Sequence, residues 1–454
     1  MRGRIQDILE ITTARLISGN PEAMFSGVST DSRSITRGEL FVALSGANFD
    51  GHAFIDEAVD RGAAGILAMR TVESAAVPVV QVADTLMALG EIAGGYRRRF
   101  STRVIGITGS TGKTTVKEMV AAIMSLAGST LKTQKNYNNL IGVPMRLLDL
   151  KPEHAYAVIE MGTNSPGEIA RLTAMANPEV SVLTNITPSH LNGLGTIDGV
   201  IAEKQSIFSG TTRAAVFNPR APYMDAVRIP ERLKYVTFCL ESPADVYPVE
   251  IRSSGLGGTD VVIGFQGRQQ RVHIALPGMH NVLNALAAAA TGLAMDIDAD
   301  TIAAGIEAAA FPGMRSEIIV SEELTIIDDS YNANPASMKA ALDMLASAPH
   351  THKIAVLGDM LELGQESEHF HAQLGAWAAQ TRIDHLVVTG TFAPVVAEAA
   401  IAAGMDGGSI SIAPTLEDIQ AALEKRLKNE TVVLVKASRG IKLDRVVGYL
   451  KAVA

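Results

Sequence analysis

Cysteine is almost missing from this chain: Cys239 is the one thiol in 454 residues. A single thiol excludes an intrachain disulfide and a cysteine-ligated zinc site, and a reducing, cytoplasmic setting is expected. Aromatic residues are scarce too, at 5%. That composition favours close helix–sheet packing over stacking platforms for bases. Positive charge is not in excess. The formal net charge of −9 argues against a general polyanion binder, so no nucleic acid is expected, while a small anionic ligand needs only a local positive site. No run reaches the ~18 uncharged apolar residues of a membrane span, so no membrane insertion is expected. The N-terminal "MRGRIQDILEITTARLISG" carries acidic residues and no long apolar run. It reads as an amphipathic helix with Ile5, Ile8, Leu9 and Ile11 near one side, not as a signal peptide.

Hydrophobic residues make up 47% of the chain and charged residues 19%, which suits a protein with sizeable cores. At ~150 residues per domain, the length predicts about three domains. The first, 1–83, mixes short strands and helices, with "GELFVAL" as a strand and "AFIDEAVDRGAAGIL" as a helix running into a strand. The second, 84–312, alternates apolar strands ("RVIGIT", "AYAVIEMG", "VSVLTNI") with helices. Such runs bounded by turn residues suit a parallel sheet buried on both faces. A β-rich insert is expected from "AAVFN" to "VHIALPG", then two helices and a hinge at "FPGMRSE". The third, 313–454, repeats the alternation through "LTIIDD", "HKIAVLGD", "DHLVVTG" and "TVVLVKAS". The expected fold is α/β: a small N-terminal α/β domain, a central parallel-sheet ATPase domain of P-loop type, and a Rossmann-like C-terminal domain.

The strand "RVIGIT" ends in "GSTGKTT", and apolar residues at helical spacing follow from Val116. A glycine-rich turn between strand and helix turns backbone N–H groups inward, and the helix N-terminus adds positive potential. Lys113 supplies a mobile charge for β- and γ-phosphates, and Thr114 a hydroxyl for Mg²⁺. The usual distal glycine is absent, because Ile107 stands in its place. Gly109-x-x-Gly112-Lys113-Thr114 is nonetheless intact, and Lys-Thr-Thr at a helix start has no packing motive. Glu160 ends the strand "AYAVIE". A strand-end carboxylate usually faces solvent, but beside a phosphate loop it suits Mg²⁺. Lys204 falls in an apolar helical stripe with Val200, Ile201, Ile207 and Phe208. An unpaired buried ammonium is costly, so the lysine either snorkels or pairs with an acid, or stays neutral and reacts with CO₂ to give a metal-binding carbamate. From the residues alone these readings stand level.

"TGSTGKTT" resembles the phosphate loop of the Mur ligase family, which lacks the distal glycine in the same way. The resemblance runs through "EMGTNSPGEI", "TNITPSHLNGLGT", "AEKQSIF", "PGMHNVLNALAA", "DDSYNANPASMKAAL", "LGDMLELG" and "VKASRG", in the family's order. It implies an ATP-dependent amide ligase that activates a peptide carboxylate as an acyl phosphate. The last three motifs point to the member that joins D-alanyl-D-alanine to UDP-N-acetylmuramoyl-tripeptide in peptidoglycan precursor synthesis. ATP and two Mg²⁺ ions are the implied cofactors, and a monomer is expected.

The resemblance also assigns residues. Thr108, Gly109, Ser110, Thr111, Gly112, Lys113 and Thr114 would hold the phosphates of ATP. Asn281 would face its adenine side, with Asn284 nearby, although both also suit a helix cap. Arg315 would reach the γ-phosphate and Asp329 the ribose. Thr114, Glu160, His190 and carbamylated Lys204 would hold the metals. His190 is an unusual Mg²⁺ ligand, and a lone loop histidine is more often a hydrogen-bonded surface residue. Thr30, Ser32, Arg33, Asn48 and Asp50 would meet the uridine nucleotide, though by spacing alone they are polar turns. Asn138 and Asn139 would meet the muramoyl-peptide. Tyr331, Asn332 and Asn334 would recognise nucleotide or dipeptide, and Arg439 the dipeptide carboxylate. "VKASRG" departs from the usual Lys-Gly-Ser-Arg at Ala437, whose methyl would crowd a turn of positive φ. Three competing readings stand beside this one: the UDP-N-acetylmuramoyl-dipeptide ligase that adds the third stem residue, whose Asp-Asn-Arg-Pro motif is absent; folylpolyglutamate ligase, which would not need this first domain; and a nucleotide-gated binding module without ligation.

Overall fold

The computed structural model describes residues 1–46, 49–72, 76–241, 243–265 and 267–453. Asn48 lies outside the described residues. Three main sheets follow one another along the chain. The first has five strands in the order Arg15–Ser18, Val79–Gln81, Gly65–Ala68, Glu39–Val42, Gly27–Ser29. All its pairings are parallel except that of the edge strand Arg15–Ser18. The expected N-terminal helix covers only Ile5–Ile11, and it buries Ile5 and Ile8.

The central sheet has six strands, all parallel, in the order Thr130–Lys132, Tyr156–Glu160, Arg103–Thr108, Val180–Leu183, Ala214–Phe217, Lys234–Thr237. "AAVFN" therefore belongs to this sheet and not to the insert. The insert is the antiparallel trio Val246–Ser253, Thr259–Phe265 and Arg268–Ile274. Helix Lys113–Ala127 buries Val116, Met119, Val120 and Ile123 against the sheet and helix Met279–Ala294. Each such side chain contributes ~1.5–3 kcal/mol by leaving water. The alanine run from Ala287 to Ala290 is buried, and its small side chains let the helix lie close to its neighbours.

The third sheet runs Glu317–Val320, Leu324–Asp328, Thr431–Lys436, His352–Leu357, His385–Val388, Ile410–Ile412. Only the edge strand Glu317–Val320 is antiparallel. Residues 308–316 join it to the central domain without helix or strand. Beside that link, Leu256 at the tip of the insert packs against the core of the third sheet's helices. No described helix is long and apolar enough to cross a membrane.

Candidate active site

Ligands of open α/β sheets bind at the carboxyl ends of the strands. Here the carboxyl ends of the central and third sheets face one cavity of about 1030 Å³, lined from both sides by residues such as Lys113, Glu160, Asp329 and Lys436. The phosphate loop forms its floor. Gly109 has φ 153°, and a Cβ there would lie 1.9 Å from Thr184 Oγ1. Gly112 has φ 77°, and its Cβ would lie 2.3 Å from Asn284 Oδ1. Both positions therefore require glycine. Thr108 Oγ1 donates to the Met161 carbonyl at 2.8 Å, and Ser110 Oγ to the Thr187 carbonyl at 2.8 Å. Thr111 N–H donates to Asn185 Oδ1 at 3.0 Å. The loop is thus fastened to two neighbouring strand ends.

Lys113 Nζ folds back onto the Gly109 carbonyl at 2.7 Å. Burial pushes its pKa down, and nearby Glu160 opposes that shift. Glu160, paired with Ile107 across the sheet, is 2% exposed. Its oxygens accept from Thr114 Oγ1 at 3.0 Å and Asn138 Nδ2 at 2.8 Å. A buried carboxylate touched by a hydroxyl and an amide, with no ammonium or guanidinium within ion-pair distance among the described residues, is the oxygen-donor chemistry that a hard cation takes. No three His, Cys, Asp or Glu side chains gather as a ready-made metal site among the described residues.

Lys204 is 1% exposed, and its Nζ donates to the Gly109 carbonyl at 3.0 Å. No carboxylate pairs with it among the described residues. Burial, then repulsion from Lys113, drive its pKa well below the ordinary lysine value. Snorkelling and acid pairing are both absent among the described residues, and burial acts against the charged form. His190 has φ 54° and lies on the cavity wall, where its Nδ1 meets Glu362 Oε2 at 2.6 Å.

Asn281 and Asn284 start the helix Met279–Ala294 and are joined at 3.0 Å. Arg315 stacks on the Tyr331 ring, 3.9 Å from its centroid. Its neighbours Met314 and Ser316 both have positive φ, 66° and 53°, so the hinge is strained on either side of the arginine. Asp329 pairs with Lys436 at 2.5 Å and accepts from Ser316 N–H at 3.0 Å. Asn334 caps helix Pro335–Ser347, and Asn139 accepts from Gly142 N–H at 2.8 Å. Asn332 lines the cavity, and so does Arg439, which also pairs with Asp444 at 3.4 Å. Ala437 is buried and is not a positive-φ residue. Its methyl is accommodated by Gly358, where a Cβ would lie 2.8 Å from it.

The first domain's residues stand apart from this cavity. Ser32 Oγ donates to Glu57 at 2.8 Å, and Arg33 pairs with Asp31 at 2.8 Å. Asp50 accepts from the His52 ring at 2.7 Å and pairs with Arg70 at 3.0 Å. Thr30 is half-buried in the turn before them. Sequence reasoning missed Asn185, His280 and Lys436, and it read Glu362 only as a possible structural cap; all four are on the cavity wall. Only Lys436 carried a signal, as a lysine at the end of an apolar strand.

A family model described as "Mur ligase middle domain" matches residues 107–292. "Mur ligase, glutamate ligase domain" matches 314–439, and "Mur ligase family, catalytic domain" matches 24–97. The chain is 35% identical over 450 residues to the UDP-N-acetylmuramoyl-tripeptide–D-alanyl-D-alanine ligase of Bacillus subtilis, covering 98% of this chain and 97% of that one. It is 37% identical over 437 residues to the Escherichia coli protein of the same name, covering 93% of each. Among solved structures, MurF from Acinetobacter baumannii superposes with a TM-score of 0.92 at 30% identity, over 99% of both chains. A MurF ligase from Thermotoga maritima in complex with ADP gives 0.82 at 29% identity, over 93% of this chain and 96% of that one.

Proposed function

The chain belongs to the Mur ligase family, and from that premise we propose that it joins D-alanyl-D-alanine to the peptide carboxylate of UDP-N-acetylmuramoyl-tripeptide, with ATP converted to ADP and phosphate. The observation that carries the reading is the single cavity in which a phosphate loop, a buried carboxylate and the third domain's strand ends meet. The full-length likeness to ligases of that name supports this member over the one that adds the third stem residue. Domain limits at 1–83, 84–312 and 313–454 keep each main sheet within one domain. Both walls of the cavity come from one chain, which supports a monomer, and the setting is cytoplasmic.

The phosphate loop's N–H groups, with Ser110, Thr111 and Lys113, bind the phosphates. Lys113 leaves the Gly109 carbonyl to do so. Asn281 and Asn284 border the adenine, Asp329 reaches the ribose, and Arg315 swings from the hinge to the γ-phosphate. Glu160 and Thr114 would hold one Mg²⁺. His190 and Lys204, carbamylated by CO₂ with loss of a proton, would hold the second. When bound, the cations neutralise charge on the transferred phosphoryl group and its acceptor. The substrate carboxylate attacks the γ-phosphorus and ADP leaves. The resulting acyl phosphate has the leaving group that a free carboxylate lacks. The dipeptide amine adds to the carbonyl, loses a proton, and phosphate departs with one oxygen of the original carboxylate. Arg439 suits the dipeptide's carboxylate, with Tyr331, Asn332 and Asn334 beside it. Asn138 and Asn139 suit the muramoyl-peptide. Thr30, Ser32, Arg33 and Asp50 suit the uridine end, at a distance from the chemistry that a long substrate requires.

The test is a matrix of UDP-muramoyl-peptides against candidate amines, scored by phosphate release and product mass, with ¹⁸O in the acceptor carboxylate. Label in released phosphate, only when tripeptide and dipeptide are both present, is the expected result. Activity with a single diamino acid and no dipeptide would overturn the assignment.

A further inference from the structure

The segment Leu357–Gly364 touches the central domain through a residue to which the chemistry above gives no role. Glu362, on the third domain, places Oε2 2.6 Å from Nδ1 of His190. The backbones meet as well: Asn192 N–H donates to the Glu362 carbonyl at 3.2 Å. A Cβ on Gly364 would lie 3.1 Å from Asn192 Oδ1. Both paired residues have positive φ, 54° at His190 and 66° at Glu362. Side-chain-bearing residues rarely adopt that conformation unless their surroundings impose it. Among the described residues, each is the other's sole ion-pair partner.

The Glu362 carboxylate is 51% exposed, and such a pair adds little stability. Its geometric effect is larger. An ionised carboxylate only accepts hydrogen bonds, so Nδ1 is the nitrogen that donates to Glu362 and Nε2 is the one left for another partner. A carboxylate behind a histidine also fixes the ring and raises the basicity of its other nitrogen. We propose that Glu362 is a positioning residue acting through His190, so that docking of the third domain presets the imidazole for a cation in the phosphoryl-transfer cavity. This deepens the ligase reading and rests on it.

The test uses the full chain with ADP present and Mn²⁺ as the probe, free Mn²⁺ being counted by electron paramagnetic resonance. Glu362→Ala is expected to weaken the weaker Mn²⁺ by ~10- to 100-fold and to lower kcat by a similar factor. KM for the UDP-peptide should stay within about 2-fold, because Glu362 touches the imidazole and not that substrate. Glu362→Gln, whose amide oxygen still accepts from Nδ1–H, should fall between Ala and the parent. Glu366→Gln, four residues further along the chain and exposed, should match the parent. Mn²⁺ affinity unchanged in Glu362→Ala, or equal losses in Ala and Gln, would overturn the proposal. Failure of the ligase reading would show separately, as a parent protein that releases no phosphate with any peptide–amine pair while its Mn²⁺ titration remains readable.

Discussion

Lys204 is where burial and chemistry meet most directly. Its stem lies in an apolar stripe and its nitrogen has one carbonyl partner, the same Gly109 oxygen that holds Lys113. A protonated amine there would face Lys113 across a shared acceptor, so burial and that repulsion both act against the charged form, and the neutral amine is the form that takes up CO₂. Lys204→Ala is expected to lose most of the ligase activity, and millimolar acetate or formate to restore part of it, measured as dipeptide-dependent phosphate release. No rescue, together with an unmodified lysine in the intact protein's mass spectrum, would remove the carbamate. Gly112 gives a second residue-level expectation. Gly112→Ala places a methyl against the Asn284 amide at positive φ, a strain of order 1–3 kcal/mol. Calorimetric ADP affinity should fall by about 5- to 150-fold, following that strain, with the fold retained.

Among the elements, the buried strands were the easiest to read, because both faces are apolar and turn residues bound them. Arg15–Ser18, Glu317–Val320 and Ile410–Ile412 were missed. All three are edge strands of three or four residues. An edge strand needs no continuous apolar run, so periodicity carries little trace of it. The C-terminal sheet also holds a titrating element. His385, 1% exposed at the start of strand His385–Val388, has its pKa lowered to about 4 by burial. Unfolded, it titrates near 6.5, so between these values the unfolded chain binds the extra proton. Stability is therefore full above about pH 6.5 and falls by roughly 3 kcal/mol as pH drops toward 4. Trp377, the only tryptophan, packs against the core of the same domain and reports its unfolding. The urea midpoint followed by its fluorescence should drop between pH 7 and 5, and His385→Asn should flatten that slope.

Across the whole molecule, the phosphate loop, Glu160 and Lys204 were legible because each is a polar group in a place that packing alone would not choose. The first domain's turns were legible only as turns, and polar side chains there prove to be engaged within the domain, as in Ser32 with Glu57 of helix Ile55–Asp60. Lys436 and Asn185 were hidden, and Glu362 was legible only as a possible cap, because their meaning arises only when distant segments are brought together. The cavity draws on two domains joined by residues 308–316, so ligand binding and domain position are coupled. Small-angle scattering with a non-hydrolysable ATP analogue and UDP-tripeptide is expected to give a smaller radius of gyration than the free protein. Superimposable profiles would count against that coupling.

Leu256 supplies the constraint on that motion. The insert's tip is seated in the C-terminal core beside residues 311–318 at the peptide link. Both attachments therefore lie at one place on the interface, and together they act as a single pivot for the third domain.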